Sequence, residues 1–196
     1  MKHFIIFGPP GAGKGTQSLL IAEKFKLEHI STGQMLREEI AKGSEIGVMA
    51  KEVIDMGKFV EDSVVIQMIA EKISNRLPET KGFIFDGFPR TLSQAVAFDQ
   101  LLNNMGSKGV TAVISLEVQD SVLIERIQKR AQIERREDDS SIETIKNRIR
   151  TYHNKTEPLV AYYTQKGKYF SVRGEKEVGE IFSSICKIIE KAVNER

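Results

Sequence analysis

Several features that mark other classes of protein are scarce in this chain of 196 residues. Its one cysteine, Cys186, excludes a disulfide framework and a cysteine metal cluster within the chain. The balance of 29 basic against 27 acidic residues leaves a net charge of +2. This charge predicts neither nucleic acid nor an anionic membrane as a partner. No apolar run approaches the roughly 20 residues that span a bilayer.

The sequence also lacks internal repeats, low-complexity linkers and an apolar segment of signal-peptide length near its start. Its length suits one domain with small insertions, and a hydrophobic fraction of 40% is enough for a buried core. We therefore expect a cytoplasmic protein. We also expect a monomer, because no unexplained apolar stripe is evident in the helical patterns.

Five short apolar runs have the composition of buried parallel strands. They occupy residues 4–7, 28–30, 83–85, 110–116 and 169–172. Helical patterns lie between them, and the clearest one places Ile181, Ile185 and Ile189 on one face. This alternation predicts an α/β fold, with a five-stranded parallel sheet covered by helices on both faces. Ligands are then expected at the C-terminal ends of the strands.

Two stretches do not fit the alternation. Residues 31–60 hold two helical patterns with no strand between them, and residues 127–137 are polar and almost without core residues. Both are expected to project from the core, which makes them candidates for moving parts.

A glycine-rich loop, GPPGAGKGT at residues 8–16, follows the first strand pattern and precedes a helical one. Glycines let backbone N–H groups converge on an anion, and the helix N-terminus adds partial positive charge. Lys14 can then reach the outer phosphates of a nucleoside triphosphate. The alternative is a simple glycine-rich turn. The loop departs from the usual pattern in one respect, because Gly15 follows the lysine and the hydroxyl comes one position later, at Thr16.

Further motifs follow the second and third strands. Ser31 or Thr32 could contact a ligand or only cap a helix, and Arg37 could be a surface residue. Asp86 ends the third strand, at a position that faces magnesium in many phosphate-binding sheets. The turn after it projects Arg90, although the same composition also suits a plain strand-to-helix connection.

Several arginines cluster in sequence around the polar segment at residues 127–137. Arginine forks match phosphate oxygens in bidentate geometry, so we expect some of them to hold phosphates, while others are solvated. The candidates are Arg126, Arg130, Arg136 and Arg148.

Together these motifs resemble those of adenylate kinases. The matching stretches are GPPGAGKGT (8–16), ISTG (30–33) with MLR (35–37), GKFV (57–60), DGFPRT (86–91) with Gln94, and REDD (136–139) with Arg148. The resemblance covers essentially the whole chain. It implies a P-loop NTPase fold with a core at residues 1–30, 61–126 and 138–196. A monophosphate-binding flap would lie at residues 31–60 and a short lid at residues 127–137.

The resemblance implies magnesium-dependent phosphoryl transfer between ATP and AMP, giving two ADP. The expected partners are these small-molecule nucleotides, with neither nucleic acid nor a membrane among them. The resemblance assigns ATP binding to Gly11, Ala12, Gly13, Lys14, Gly15, Thr16, Arg126, Arg130 and Lys176. It assigns AMP binding to Thr32, Arg37, Lys58, Phe59, Val60, Gly87, Phe88, Pro89, Arg90, Gln94, Arg136 and Arg148. The expected catalytic cations are Lys14, Arg90, Arg130, Arg136 and Arg148, with Asp86 facing magnesium through water. No structural zinc is expected, because the long lid and cysteines of zinc-binding relatives are absent.

The acceptor base is indicated by three positions. Relatives that phosphorylate UMP and CMP tend to have Ala in place of Thr32 and Asn in place of Thr91, and they lack Gln94. An amide both donates to and accepts from an adenine edge, so AMP is favoured over the alternative of a UMP/CMP kinase.

Two departures from the family pattern support a second alternative, a nucleotide-binding regulator without catalysis. Gln34 stands where relatives usually have Asp. Residues 130–136 read RAQIERR where short-lid relatives usually have RGxxSGR, so both glycines of the lid are replaced. The intact Lys14, Arg90, Arg136 and Arg148 argue against this alternative.

Overall fold

The computed structural model describes residues 1–76, 78–134, 139 and 141–194. Its five strands are β1 (Lys2–Phe7), β2 (Glu28–Ser31), β3 (Gly82–Asp86), β4 (Ala112–Glu117) and β5 (Tyr169–Arg173). They pair in parallel in the order β2-β3-β1-β4-β5, which confirms the predicted parallel sheet. In the run at residues 110–116 the strand begins at Ala112, although Val110 before it is fully buried.

Nine α-helices connect or flank these strands within the described residues. They are α1 (Lys14–Phe25), α2 (Thr32–Lys42), α3 (Glu45–Asp55), α4 (Asp62–Ser74), α5 (Leu92–Asn104), α6 (Asp120–Glu134), α7 (Ile142–Thr151), α8 (Leu159–Gln165) and α9 (Val178–Asn194). A π-helical turn, Tyr152–Thr156, joins α7 to α8. In the part of the chain described, no helix is both long and apolar enough to cross a membrane.

The sheet separates two layers of core. Side chains alternate along a strand, so Phe4 and Ile6 of β1 pack into one layer, while Ile5 and Phe7 pack into the other. The first layer includes the predicted buried face of α9, with Ile181, Ile185 and Ile189. The second includes buried residues of α4, α5 and α8. Helices therefore cover both faces, as the alternating pattern predicts.

Serine and threonine caps set where several helices begin. Ser31 accepts a hydrogen bond from the Gln34 backbone N–H at the start of α2, and Thr91 accepts one from Gln94 at the start of α5. Of the two neighbouring hydroxyls, Ser31 is thus the cap. Thr32, the first residue of α2, donates instead to the Gly87 carbonyl at 2.8 Å, which joins α2 to the turn after β3.

The helices α2 and α3 approach each other closely at Gly47. A Cβ at this position would lie 2.1 Å from the Glu39 carbonyl oxygen, which is too close for any other residue without a shift of the backbone. Ser44 fixes the same turn, because its hydroxyl accepts from the Gly47 N–H and donates to the Glu39 carbonyl. The two helices therefore form a compact pair.

The helix α6 continues through Glu134, over much of the polar segment that begins at residue 127. Leu123 and Ile127 are fully buried on its inner face. Ile127 is thus a core residue, in contrast to the expectation that this segment begins outside the core. Over residues 127–134, the polar side chains lie on the outer side of this helix.

Candidate functional site

A cavity of about 670 Å³ opens at the C-terminal ends of β1, β2 and β3. This is the edge of the sheet at which the fold predicts ligands. Its walls come from the glycine loop at residues 8–16, from α2 and the start of α4, from the turn after β3, and from α6 and α7. Most of the predicted site residues line it.

The glycine loop adopts a backbone that only glycine adopts easily. Gly11 and Gly13 have φ values of +82° and +90°, and Gly13 caps the start of α1. Gly11, Gly13, Lys14, Gly15 and Thr16 line the cavity. Ala12 does not, because its side chain is buried in the core beneath the loop.

Gly11 also lies directly against α6. A Cβ on Gly11 would lie 2.8 Å from Ile127 Cγ1 and 3.1 Å from the Leu123 carbonyl oxygen. The absence of a side chain at Gly11 therefore allows α6 to pack onto the loop. This contact places Arg126 and Arg130, which flank Ile127 on the helix, at the cavity.

The Lys14 ammonium group donates to the carbonyl oxygens of Gly8 and Pro9, at 2.8 and 2.9 Å. Burial within the loop lowers the pKa of Lys14 to about 8, while the charge of Asp86 acts in the opposite direction. The guanidinium groups around the cavity lower this pKa further. An anion entering the cavity would offset both effects, so this is a cation that phosphate would stabilise.

Asp86, the last residue of β3, faces a histidine that the sequence analysis did not single out. His29 Nε2 lies 3.9 Å from Asp86 Oδ2, and His29 also lines the cavity. Burial lowers the pKa of His29, and the opposing effect of Asp86 does not reverse this shift. The alternation along β2 could have indicated the residue, since His29 and Ser31 point to the same face.

The oxygen donors near the loop suit a hydrated magnesium ion. Within the described residues, no group of three or more His, Cys, Asp or Glu side chains could hold a metal by itself. Asp86 and Thr16 supply a carboxylate and a hydroxyl at the cavity wall. Magnesium prefers oxygen ligands and keeps most of its waters, so such a sparse donor set fits an ion that arrives with nucleotide phosphates.

Gln34 and Arg37 line the cavity from α2. The Gln34 amide is exposed and its Nε2 donates to Glu38 Oε1 at 2.9 Å. Arg37 lies over Gly33, where a Cβ would come within 3.2 Å of its Nη1 atom. The start of this helix therefore presents a cation and an amide to the cavity.

The turn after β3 forms another wall of the cavity. Arg90 Nε donates to the Gly87 carbonyl at 2.6 Å, and its guanidinium group lies 5.1 Å from the centre of the Phe59 ring. Lys58, Phe59, Val60, Gly87, Pro89 and Arg90 all line the cavity. Phe88 does not, because its ring is buried and packs edge-on against Phe98.

Gln94 is 1% exposed, yet it is among the residues that line the cavity. Its Oε1 accepts from the Arg90 backbone N–H at 2.8 Å, and its Nε2 donates to Asp62 Oδ1 at 2.7 Å. Asp62 is the first residue of α4 and the sequence analysis missed it. An acidic residue in the first turn of a helix is too common to be a signal by itself.

The arginines of α6 and α7 meet at one carboxylate. Arg130 donates to Asp139 Oδ2 from Nε and Nη2, at 2.9 and 2.6 Å, and Arg148 Nη1 donates to Asp139 Oδ1. The Asp139 side chain is fully buried. Asp139 thus fixes both guanidinium groups at the cavity wall. Its place in the motif at residues 136–139 does not by itself indicate these partners.

Three predicted residues remain, and they have different outcomes. Arg126 lines the cavity and donates to the Gly174 carbonyl at 2.9 Å. Lys176 lies outside the cavity, in a shallow hollow with Ser184 and Ile188. Arg136 lies outside the described residues, so its predicted role stays a prediction.

Comparisons with known proteins identify what this arrangement is similar to. The family model described as adenylate kinase matches residues 6–168. The chain is 42% identical to the adenylate kinase of Parabacteroides distasonis, over 96% of this chain and 98% of that protein. It is 44% identical to the one of Phocaeicola vulgatus, over 97% and 100%, and 39% identical to the one of Archaeoglobus fulgidus, over 96% and 98%.

Proposed function

The chain belongs to the adenylate kinase family, and on that basis we propose that it transfers a phosphoryl group reversibly between ATP and AMP, giving two ADP. One observation carries the proposal beyond family membership. Two sets of cations, one on the glycine loop and α6 and the other on α2 and the turn after β3, face a single cavity. A donor and an acceptor phosphate could therefore meet between them.

The chemistry that we propose requires alignment and charge more than covalent help. Lys14 and the N–H groups of the loop would hold the outer phosphates of ATP. Arg90 and Arg37, which line the same cavity, would hold the acceptor phosphate. No general base is needed, because the phosphate of AMP is already anionic at neutral pH.

Arg130 and Arg148 would stabilise the group in transfer. Their shared bonds to Asp139 support this role, since a buried carboxylate holds both forks before a substrate arrives. Magnesium, when bound with ATP, would neutralise phosphate charge. Asp86 would orient its water shell and Thr16 would lie close to it.

Water must be kept from the transferring phosphate, or the enzyme would hydrolyse ATP. We propose that residues 31–60 form a flap over the acceptor and residues 127–137 a lid over the donor. The compact α2–α3 pair supports a flap that moves as one body. The contacts of Arg136 with AMP and of the backbone near Lys176 with ATP stay predictions. The monomeric state and the cytoplasmic location also stay predictions.

AMP is the proposed acceptor, and a UMP/CMP kinase is the alternative. The contacts of Thr32, Thr91 and Gln94, the three residues that indicate the acceptor base, favour AMP. Thr32 donates a hydrogen bond to the Gly87 carbonyl, and Thr91 and Gln94 both donate to the carboxylate of Asp62. A side chain locked in this way presents one defined pattern of donor and acceptor to the base. The alternative of a regulator without catalysis rests only on Gln34 and the altered lid.

A coupled assay that detects ADP tests the proposal directly. We expect ADP from magnesium ATP with AMP, at a rate far above that with UMP or CMP. Faster turnover with CMP than with AMP would overturn the acceptor assignment. Tight binding of ATP and AMP without any ADP formation would support the regulator instead.

A further inference from the structure

We propose that Asp62 is a positioning residue that fixes the orientation of the Gln94 amide. By doing so it makes the acceptor pocket select a purine with a 6-amino group over one with a 6-oxo group. The inference rests on the proposed function, because it requires an acceptor base at the Gln94 wall of the cavity.

The two partners of the Gln94 amide allow only one orientation. Asp62 Oδ1 is a carboxylate oxygen that accepts, and the Arg90 backbone N–H only donates. If the amide turned over, Gln94 Oε1 would face the carboxylate and Nε2 would face the N–H. Both contacts would then be mismatched in a side chain that is 1% exposed.

Asp62 is itself held in place from the start of α5. Thr91 Oγ1 donates to Asp62 Oδ2 at 2.8 Å, and Ser93 Oγ donates to the same oxygen. With Oδ2 occupied by these hydroxyls, Oδ1 is directed to Gln94. The carboxylate therefore connects the first turn of α4 to the amide across 32 residues of chain.

After these two bonds the amide keeps one N–H and one lone pair for a ligand. Adenine offers a donor at its 6-amino group beside an acceptor ring nitrogen. Hypoxanthine and guanine offer an acceptor oxygen at the same carbon. With Gln94 Oε1 fixed as an acceptor, a 6-oxo purine meets it oxygen against oxygen, unless the amide turns and loses both internal partners.

The test compares AMP with IMP, two acceptors that differ only in the 6-substituent and the adjoining ring proton. The change is Asp62→Asn, which keeps the size of the side chain but lets it either donate or accept. The measurement is the ratio of kcat/KM for AMP to that for IMP. We expect this ratio to fall about tenfold, the size of one hydrogen-bond preference, chiefly through better use of IMP.

Glu61→Gln is the matched control. It removes the same charge one residue away, where the Glu61 carboxylate accepts from the exposed Ser63 hydroxyl. We expect its AMP-to-IMP ratio to equal that of the parent. Circular dichroism and thermal melting check that each variant is folded. If Asp62→Asn does not fold, Asp62→Ser is tested instead. Its hydroxyl can also donate or accept a hydrogen bond, and its side chain is smaller.

The outcomes separate the two proposals. A parent protein that forms no ADP from AMP refutes the proposed function, and the present inference with it. An active parent that uses AMP and IMP equally well overturns only the role of Asp62. So does an unchanged ratio in folded Asp62→Asn, because a merely structural effect would change both nucleotides by the same factor. An equal fall of the ratio in Glu61→Gln also overturns it, because the effect would then follow from the lost charge and not from the contact with Gln94.

Discussion

The ammonium group of Lys14 is fixed by two carbonyl oxygens of its own loop, and Arg90 is fixed by the Gly87 carbonyl. Cations held in this way act on the transition state at little further cost in ordering. We predict that Lys14→Met and Arg90→Ala each lower kcat/KM at least ~10²-fold, about 3 kcal/mol. The measurement is the coupled assay with AMP, alongside circular dichroism to show a native fold.

Lys24→Met is the matched control for Lys14→Met, because Lys24 lies on the same helix and pairs with Glu190 at the surface. Its kcat/KM should stay close to the parent's, since exposed ion pairs contribute little. The same loss in both variants would mean that removal of any lysine from α1 disturbs the loop.

The residue at position 34 is expected to affect how much magnesium the reaction requires. It keeps an acceptor oxygen at the cavity but has no charge, so Asp86 is left as the main anionic anchor for a hydrated ion. We predict that Gln34→Asp lowers the magnesium concentration needed for half-maximal activity at fixed ATP. We also predict that Asp86→Asn is more damaging here than loss of one aspartate in a relative that has two.

The control for this prediction is Gln67→Asp. Gln67 donates to Glu71 at 3.0 Å on the exposed side of α4, just as Gln34 donates to Glu38 on α2, but it does not line the cavity. Its magnesium titration should match the parent's. If the Gln34→Asp curve also matches, Gln34 is a surface residue of α2 without effect on the ion.

Residues that belong to the glycine loop and to the turn after β3 could be predicted because short stretches of sequence dictate their backbone. His29, Asp62 and Asp139 could not be assigned roles in the same way. Their partners lie on other elements, such as Gln94 for Asp62 and Arg130 for Asp139. Pairing of this kind depends on how the helices pack, which a single sequence does not specify.

At the scale of elements, the close contact of α2 and α3 requires a glycine at position 47. We predict that Gly47→Ala destabilises the protein by about 1–3 kcal/mol, because the added methyl group would overlap the Glu39 carbonyl. Chemical denaturation measures this loss. An unaltered midpoint would show that the two helices can separate slightly without loss of stability.

Gly179→Ala is the matched change on α9, where a Cβ would meet nothing within 4 Å. It should stabilise the protein by about 0.5–1 kcal/mol, as alanine does for an unhindered helical glycine. The opposite signs of the two substitutions distinguish steric contact from helix propensity.

The element α6 illustrates where a sequence pattern is insufficient. Residues 127–137 contain few apolar side chains, and this predicts an excursion from the core. The spacing of Leu123 and Ile127, four residues apart, continues the buried face into that segment. One isoleucine is too little to reveal a helix in sequence, but its contact with Gly11 fixes the helix in the structure.

At the scale of the whole molecule, the parallel sheet with two covered faces could be predicted because five apolar runs alternate with helices. The order of the strands could not, since a buried apolar run carries no information about its neighbour. The position of the cavity could be predicted from the fold, because parallel strands place all their C-terminal ends at one edge of the sheet.

The burial of His3 predicts how the stability of the whole fold changes in acid. His3 is 2% exposed and stacks on Phe83, and burial lowers its pKa to about 4. The unfolded chain binds the proton near pH 6.5, so stability is complete above that pH and is lost as the pH falls toward 4. We predict that His3 lowers the free energy of unfolding by about 2 kcal/mol at pH 5 relative to pH 8.

Replacement of His3 by Phe should therefore reduce the difference in unfolding free energy between pH 8 and pH 5. His153→Gln should act in the opposite direction. Partial burial would lower the pKa of His153, but hydrogen bonds to Glu157 and Asp120 outweigh it and raise this pKa. Urea titrations at the two pH values measure both variants, and an unchanged acid sensitivity in His3→Phe contradicts the assignment.

The contact between Gly11 and Ile127 has a consequence for behaviour in salt. Mobile ions screen the attraction between arginines and phosphates, but they leave apolar packing almost untouched. The spacing between the glycine loop and the backbone of α6 is set by that packing. The Arg130 guanidinium group is held by the buried carboxylate of Asp139, and salt screens a buried pair much less than an exposed one. Rising ionic strength should therefore weaken the capture of nucleotide while the groups that receive it keep their positions, and a higher nucleotide concentration should restore the rate.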